Sequence, residues 1–324
     1  MRRGTDIAAA CAVLRAGGLV AFPTETVYGL GAAARDPAAV ARIFAAKGRP
    51  ANHPLIVHLA DAAEAPAWAA AWSADARVLA AAFWPGPLTL IVPVADDVPR
   101  AVTGGAPTIG LRVPAHPTAH ALLAAFAGGV AAPSANRFGG TSPTQADHVV
   151  ADLGDAVDYV LDGAPCDVGV ESTIVDLSGP APALLRPGAV TRDELAAALG
   201  QAPTGASTTP APGTLASHYA PRARVITCAL AEVAPALAAL VAPGPVAVLA
   251  RAADLATLAL GADVVAAPLD DDPRAAARAL YGTLRALDER GVATIIAVPP
   301  PAVGLGEAIA DRLRRAGGPR PARG

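Results

Sequence analysis

The stretch FPTETVYGLG, residues 22–31, is the densest pattern in the chain: an apolar strand ends at Pro23 and a polar, glycine-containing turn follows. Loops at strand ends are where α/β proteins bind ligands. The hydroxyls of Thr24 and Thr26 and the carboxylate of Glu25 are suited to hold the ammonium or carboxylate of an amino acid. An ordinary capped turn would have the same composition. The stretch predicts an α/β fold with a candidate ligand site here.

Two further polar segments flank predicted strands. Lys47 and Arg49 follow a helix, and Lys47 is the single lysine of the chain beside 24 arginines. A neighbouring Lys and Arg suit a polyphosphate, although cations are also favoured at any helix C-terminus. Ser134 and Asn136 stand at the end of a strand, before a glycine pair. They would bind phosphate or ribose oxygens, or they would simply complete a turn.

Helical and extended patterns alternate through the first 200 residues. Strands outnumber helices in the later part, which predicts a mixed sheet rather than a strictly parallel one. The strands are predicted at residues 19–22, 55–59, 88–94, 108–113, 130–132, 159–161, 172–177 and 183–186, and the helices at 5–16, 37–46, 117–127 and 143–153.

The composition changes at residues 201–214, which are rich in Pro, Gly, Ser and Thr and carry no charge, as linkers do. Beyond them, strands at 224–228, 246–250, 263–267 and 294–298 alternate with helices at 232–241, 273–290 and 306–315. This pattern predicts a small, doubly wound, Rossmann-like α/β domain. We therefore predict a first domain over 1–200, a linker and lid over 201–222, a second domain over 223–316 and a tail over 317–324.

Composition excludes several classes of protein. With 53% hydrophobic residues and 16% charged residues, the chain is not mainly disordered. Its net charge of -3 disfavours non-specific nucleic-acid binding without excluding it. Three separated cysteines without metal-binding spacing predict a reducing, cytoplasmic location. The uncharged run 233–250 contains three prolines and a glycine, so we expect a helix, a turn and a buried strand there, not a membrane span. No P-loop, Rossmann fingerprint or GxSxG elbow is present, so a covalent mechanism has no support.

Eight short motifs occur in order over roughly residues 5–222: AFPTETVYGLG (21–31), KGRPxxHPLIVH (47–58), FWPGPLT (83–89), GLRVP (110–114), PSAN (133–136), ESTIVD (171–176), LLRPG (184–188) and PGTLASHYAP (212–221). Together they resemble the YrdC-like threonylcarbamoyl-AMP synthase family in its two-domain form. The C-terminal part resembles the family's accessory domain by position and pattern only. Related members can carry a basic-aromatic linker motif before HYAP, where this sequence has Leu215, Ala216 and Ser217.

The resemblance implies a YrdC-like mixed twisted sheet with helices, joined by a flexible linker to a smaller Rossmann-like domain. It implies a nucleotidyltransferase that converts ATP, L-threonine and bicarbonate into L-threonylcarbamoyl-AMP and pyrophosphate. The product would serve threonylcarbamoyladenosine formation next to the anticodon of tRNA, through separate threonylcarbamoyl-transfer proteins. Mg²⁺ would accompany ATP, a weak contact with tRNA is a further expected interaction, and no membrane partner is implied.

The resemblance also implies the site residues. Lys47 and Arg49 would be the catalytic pair, acting on the transferring phosphate. The implied ATP-binding set is Lys47, Arg49, His53, Thr108, Ser134, Asn136, Ser142, Arg186, His218 and Tyr219. The implied threonine-binding set is Thr26, His58, Arg112, the backbone at Ala132, and Ser172, and no metal ligand is implied. From spacing alone, His58 is typical of a buried structural histidine, and Arg112 of either a carboxylate ligand or an ion-pair partner.

Two other functions remain possible from the sequence. An RNA-binding module is disfavoured by the near-neutral charge and the 4% aromatic content. A carbamoyl-transfer maturation factor would add an acylphosphatase-like region and Cys-rich zinc motifs, which this sequence lacks. We also interpret the end of the linker as a lid in which His218 and Tyr219 cover the nucleotide, the alternative being that Tyr219 only packs at the start of the second domain.

Overall fold

The computed structural model describes residues 1–205, 207–240 and 244–319. These residues form two compact units. The first comprises Met1–Phe138 and Ser142–Thr214, and the second comprises Gly139–Thr141 and Leu215–Gly324. The predicted boundaries after residues 200 and 222 stay predictions, and residues 320–324 of the predicted tail lie outside the described residues.

A mixed sheet forms the centre of the first unit, as the sequence predicted. Within the described residues its ten strands are β1 Arg2–Gly4, β2 Val20–Phe22, β3 Gly29–Ala33, β4 Ile56–His58, β5 Leu88–Pro93, β6 Thr108–Arg112, β7 Val130–Ala131, β8 Tyr159–Leu161, β9 Thr173–Asp176 and β10 Ala183–Arg186. Their order is β1-β8-β2-β3-β7-β4-β6-β5-β9-β10. Parallel pairs such as β4 with β6 and β5 with β9 alternate with antiparallel pairs such as β5 with β6.

The helices of the first unit are α1 Ile7–Arg15, α2 Pro37–Lys47, α3 Ala74–Phe83, α4 Arg100–Thr103, α5 Pro117–Phe126, α6 Ala146–Leu153 and α7 Arg192–Leu199. Capping fixes the ends of α2. The Asp36 side chain accepts from the N–H groups of the first turn, and Pro37 occupies the first helical position. Gly48 ends the helix with a φ of 63°, in the left-handed region that favours glycine. This turn sets Lys47 and Arg49 on either side of a glycine.

The two faces of the sheet differ in character. Because side chains alternate along a strand, Val57, Leu90 and Leu111 lie on one face, and all three belong to the main hydrophobic core. Their neighbours His58 and Arg112 lie on the opposite face and are buried there as polar groups. This opposite face, called the site face below, also carries Thr89 of β5 and Thr108 of β6.

Most predicted elements of the first unit are present, with strand ends within one residue of prediction. The helix predicted over 143–153 begins instead at Ala146, because Gln145 is extended with a φ of -152° and the Pro143 carbonyl accepts from the N–H of Tyr28. Among the described strands and α-helices of this unit, five were not predicted: β1, β3, α3, α4 and α7.

The second unit contains a parallel sheet, which confirms the Rossmann-like prediction. Its described strands are β11 Arg224–Thr227, β12 Val246–Arg251, β13 Val264–Leu269 and β14 Thr294–Ala297, in the order β11-β14-β12-β13. Its described helices are α8 Val233–Ala238, α9 Ala252–Leu255, α10 Pro273–Glu289 and α11 Leu305–Ala316. Successive β12 residues from Ala247 to Ala250 are all fully buried, as expected for a sheet covered on both faces. Val241, the predicted end of α8, lies outside the described residues.

Residues 207–214, the docked segment below, have linker composition but make fixed contacts with the first unit. Ser207 Oγ donates to Asp176 Oδ2 at 2.6 Å. Ala211 is buried in a small cluster with Ile91 and Ile174. The Pro212 carbonyl accepts from Arg186. The segment therefore covers part of the sheet instead of running free between the units.

None of the helices in the described ranges combines the length and the hydropathy that crossing a membrane requires. In the run 233–250, helix α8 ends at Ala238 and strand β12 begins at Val246, and residues 241–243 between them lie outside the described residues.

Candidate functional site

The turn between β2 and β3 is held by its own hydroxyl groups. Thr24 Oγ1 accepts from the N–H groups of Thr26 and Val27 and lies 2.6 Å from the Val27 carbonyl. Thr24 Oγ1 and Thr26 Oγ1 are 2.8 Å apart. Both threonines are buried. The motif is thus a capped turn as well as part of the candidate site, so the two interpretations are compatible.

Arg112, at the end of β6, joins this turn to the site face. Its Nη1 donates to Thr26 Oγ1 at 2.9 Å, and its Nη2 lies 2.8 Å from Glu25 Oε1 in an ion pair. Its Nε donates to the Gly86 carbonyl at 3.3 Å. Arg112 is only 4% exposed. The structure therefore brings together two predicted threonine ligands, Thr26 and Arg112, and adds a carboxylate.

His58, at the end of β4, is a second buried polar group on the site face. Burial lowers the pKa of His58 to about 3, and the positive charge of Arg112 acts in the same direction, so the imidazole is neutral at physiological pH. Its Nδ1 has no hydrogen-bond partner among the described residues. The strand pairing brings the predicted Ala132 backbone close, because the Ala132 N–H donates to the Ile56 carbonyl on the same strand as His58.

Ser172 connects the two predicted ligand sets. Its Oγ lies 2.8 Å from Thr89 Oγ1 and accepts from Arg186 Nη2 at 3.1 Å. Arg186 Nε also donates to the Ser172 carbonyl. Ser172 was predicted for threonine and Arg186 for ATP, and all three residues are buried. The two predicted subsites are therefore neighbours, at β5, at the residue before β9 and at the end of β10.

Lys47 ends α2 in a pocket of carbonyl oxygens. Its Nζ donates to the backbone carbonyls of Ser134 and Asn136, so it holds the PSAN loop. Lys47 is 3% exposed. Burial lowers its pKa well below the usual value, and the nearby Arg49 charge lowers it further. The structure thus unites three of the predicted nucleotide ligands, Lys47, Ser134 and Asn136.

Arg49 and His53 both contact the aromatic ring of Phe138. The Arg49 guanidinium is 5.6 Å from the centre of the Phe138 ring, and the His53 ring meets the same ring edge-on at 5.4 Å. Arg49 Nη2 also donates to the Pro54 carbonyl at 2.9 Å. Burial and the Arg49 charge lower the pKa of His53. These two predicted ATP ligands are therefore adjacent.

Of the two remaining first-unit ligands predicted for ATP, Ser142 is fully buried and its Oγ donates to Glu171 Oε1 at 2.5 Å. Thr108 begins β6 on the same face as Arg112 and pairs with Pro93.

His218 and Tyr219 belong to the second unit. Tyr219 is 1% exposed, and its ring packs against His218 at 4.2 Å, Tyr281 at 6.0 Å and the Arg312 guanidinium at 5.0 Å. Its φ of 62° lies in the left-handed region, which is uncommon for a residue with a side chain. These contacts agree with the packing alternative for Tyr219. A role of either residue in ATP binding stays a prediction.

Three buried polar residues contact the predicted ligands but are absent from the ligand sets that the resemblance implies: Glu25, which the turn pattern had suggested for an amino-acid group, Thr89 and Glu171. Each carried a signal in the sequence. Glu25 stands inside the polar turn, Glu171 directly precedes the ESTIVD strand, and Thr89 is the one polar residue in the apolar run 88–92.

Two family models and several known proteins match this chain. A family model, Sua5_yciO_yrdC, described as "Telomere recombination", matches residues 12–188. A second, described as "Threonylcarbamoyl-AMP synthase, C-terminal domain", matches residues 190–318. The chain is 41% identical to the threonylcarbamoyl-AMP synthase of Pyrococcus abyssi, over 96% of this chain and 94% of that one. It is 39% identical to the threonylcarbamoyl-AMP synthase of Bacillus subtilis, over 97% and 94% of the two chains.

The fold is similar to a crystal structure of P. abyssi Sua5 complexed with L-threonine. The TM-score is 0.86 at 39% identity, covering 98% of this chain and 96% of that one. Family models and relatives thus match both units. The chain belongs to the Sua5/YciO/YrdC family, in the two-domain form that carries the threonylcarbamoyl-AMP synthase C-terminal domain.

Proposed function

We propose that this protein is an L-threonylcarbamoyl-AMP synthase, which converts ATP, L-threonine and bicarbonate into L-threonylcarbamoyl-AMP, pyrophosphate and water. The observation that carries the proposal is the joining of the two predicted subsites at Ser172, between Thr89 and Arg186. A synthase needs its amino acid and its nucleotide side by side. The names of the relatives and the threonine complex of P. abyssi Sua5 support the same reaction.

In the threonine subsite, a guanidinium and hydroxyl groups are available for a carboxylate, and a neutral imidazole is available for a hydroxyl. Arg112 supplies the guanidinium, and Thr26 and Ser172 supply hydroxyls. His58 is neutral and buried, with Nδ1 unpartnered among the described residues. A buried polar atom without a partner costs free energy, so a ligand hydroxyl that satisfies it is favoured over a methyl group.

In the nucleotide subsite, Lys47 and Arg49 act on the phosphates. An ammonium group has three N–H donors, and two of those of Lys47 are engaged by carbonyl groups. In this proposal the third binds a phosphate oxygen. The phosphate charge would also raise the lowered pKa of Lys47 towards its usual value, so nucleotide binding and protonation of Lys47 are linked.

The chemistry requires no protein nucleophile. The threonine ammonium releases a proton to solvent, its amine attacks the carbon of bicarbonate, and a carbamate forms with loss of water. A carbamate oxygen then attacks the α-phosphorus, and pyrophosphate leaves. Holding the reactants in line supplies roughly 7–11 kcal/mol of the barrier reduction. Fixed cations that stabilise charge at phosphorus supply most of the rest.

Mg²⁺ fits this site as part of the MgATP substrate. Mg²⁺ is usually held by phosphates, water and one or two carboxylates. Among the described residues, no group of three or more His, Cys, Asp and Glu side chains is placed to hold a metal by itself. Glu171, next to Ser142, is a carboxylate that could complete the magnesium shell. Bound there, Mg²⁺ would offset phosphate charge.

The direct test is mass spectrometry of the product from ATP, L-threonine and bicarbonate, together with pyrophosphate release. We expect a threonylcarbamoyl-AMP mass only when all three substrates are present. Pyrophosphate release that is independent of threonine would contradict the proposal.

The proposal also includes partners that act on tRNA. The adenylate would be consumed by a separate threonylcarbamoyl-transfer protein that modifies tRNA next to the anticodon. A weak direct contact with tRNA and a cytoplasmic location also remain proposals. Transfer of label from [14C]bicarbonate to tRNA, with and without a transfer protein, tests the first of these.

A further inference from the structure

Glu25 is a buried carboxylate in the first unit to which the proposed mechanism assigns no role. Its side chain is 9% exposed, and both carboxylate oxygens are closed off from solvent. Within the part of the chain that the structure describes, neither oxygen has a hydrogen-bond partner of good geometry. Its close neighbour is the guanidinium of Arg112, at 2.8 Å.

The backbone fixes Glu25 from both sides. The N–H groups of the next two residues, Thr26 and Val27, donate to the Thr24 hydroxyl. The carbonyl of Glu25 itself accepts from the N–H of Val168 at 2.8 Å. The carboxylate is therefore presented to Arg112 by a turn that is already fixed.

Arg112 is in turn held at three points. Glu25 faces Nη2, the Thr26 hydroxyl accepts from Nη1, and the Gly86 carbonyl accepts from Nε. Two of these three partners, Glu25 and Thr26, come from the same turn. Removing the carboxylate would leave a buried cation without a compensating charge, which is unfavourable in a low-dielectric site.

We propose that Glu25 is a positioning residue for threonine binding: it acts through Arg112, holding Nη2 so that the guanidinium is oriented and charge-balanced before the amino acid arrives. Because its oxygens are enclosed, Glu25 does not itself touch the substrate. This inference rests on the proposed function, since it takes the ligand of Arg112 to be the threonine carboxylate.

The test is calorimetric binding of L-threonine to the full chain carrying Glu25→Gln, which keeps the shape and removes the charge. We expect the threonine Kd to rise about tenfold to a hundredfold, because the buried guanidinium of Arg112 loses its charge partner and its fixed orientation. ATP affinity should be unchanged. In turnover assays, the threonine KM should rise much more than kcat falls.

The matched control is Asp97→Asn. Asp97 pairs with Arg35 at the same 2.8 Å distance, but both side chains are largely exposed, and exposed pairs contribute little. Threonine affinity should be unaffected in this variant. A purely structural defect in Glu25→Gln would instead weaken ATP and threonine binding together, and that result would overturn the proposal.

A double-variant cycle tests the route through Arg112. In an Arg112→Gln background, Glu25→Gln should cause no further loss of threonine affinity, whereas an equal loss in both backgrounds would overturn the proposal.

If Glu25→Gln does not fold, threonine binding is measured with Glu25→Asp instead. Unchanged affinity with this shorter carboxylate would overturn the proposal. A wild-type protein that binds threonine but makes no product contradicts the proposed function and leaves this test valid, whereas one that does not bind threonine overturns both.

Discussion

Lys47 combines complete burial with two carbonyl contacts at the point where the nucleotide is proposed to bind. We expect Lys47→Ala to lower kcat by roughly 10²- to 10³-fold, as the loss of one preorganised electrostatic donor does elsewhere. Lys47→Arg should not restore the rate, because a planar guanidinium cannot take the place of an ammonium between two carbonyls. Steady-state pyrophosphate release measures both variants.

A suitable control lies on the same helix. Arg42 of α2 has a side chain that is 47% exposed and pairs with Asp158. Its replacement by Ala removes a cation without touching the PSAN loop, so kcat should hold. Near wild-type turnover in Lys47→Ala would refute the catalytic assignment.

His58 predicts how stability depends on pH. Its pKa is about 3 in the folded protein and near 6.5 when exposed. Between these values the unfolded chain binds a proton that the folded protein excludes, so stability falls as the pH falls, by up to about 1.4 kcal/mol per pH unit. His58→Gln should flatten the pH dependence of the free energy of unfolding between pH 6.5 and 5 relative to wild type.

Tryptophan fluorescence during urea unfolding measures this effect, because Trp68, Trp72 and Trp84 all lie in the first unit. The control is His120→Gln, since His120 is exposed on α5. A pH slope that is the same in wild type and His58→Gln would mean that the imidazole is not held neutral.

Among the secondary-structure elements, strands made of consecutive apolar residues could be predicted from the sequence. The glycine-containing strand β3 could not. β3 was missed because Gly29 and Gly31 weaken the strand pattern. A Cβ at Gly31 would come within 2.8 Å of the rings and methyl groups of Phe22 and Val130, so the glycine is required by packing between strands. β1 was missed because two of its three residues are arginines, and pairing with β8 produces it. Such tertiary contacts override local propensity.

The sequence predicted the polar motifs of the candidate site better than the contacts between them. The polar motifs at the ends of β2, α2 and β7 identified Thr26, Lys47 and Asn136. The ion pair of Glu25 with Arg112 joins residues 87 positions apart, and no local pattern indicates which buried charges will meet. The Arg186–Ser172 contact, across the β9–β10 hairpin, similarly merges two ligand sets that the sequence treated as separate.

The docked segment, residues 207–214, carries the prediction for the lid. ATP plus threonine should slow proteolysis between residues 207 and 221. Ala211→Asp would place a carboxylate against Ile91 and Ile174, where an unpaired charge is unfavourable. We therefore expect faster cleavage in the segment and a smaller protective effect of the ligands, measured by limited proteolysis and mass spectrometry.

Thr208→Asp is the comparison, because Thr208 is exposed in the same segment and gains the same charge. Its cleavage should match wild type. If wild-type cleavage is equally fast with and without both ligands, the segment is a tether and the lid hypothesis is wrong.

The whole chain divides into two units whose described hydrophobic clusters share no residues. If threonine binds in the first unit, it should raise the tryptophan-detected melting transition, by about 2.7 kcal/mol of stabilisation at a hundred times Kd. Ile296→Ala, in the core of the second unit, should leave this shift intact. Arg112→Gln should abolish it.

The opposite pattern, in which the shift is lost in Ile296→Ala and kept in Arg112→Gln, would move the threonine site to the second unit.

The prediction of two domains came from composition and periodicity. The sequence could not predict that Gly139–Thr141 belongs to the second unit, because this segment joins that unit through long-range contacts. One of them is the hydrogen bond from the Ala220 N–H to the Gly139 carbonyl.

The single lysine has a consequence for chemical labelling. Lys47, which is 3% exposed, is the one residue of this sequence that offers amine-directed reagents an ε-amino group. Burial lowers the pKa of Lys47 below its ordinary value, which increases the uncharged fraction of its amine, the nucleophile in acylation. An acyl-phosphate derivative of ATP would therefore deliver its label to one position, and competition by free nucleotide would read pocket occupancy from a single peptide.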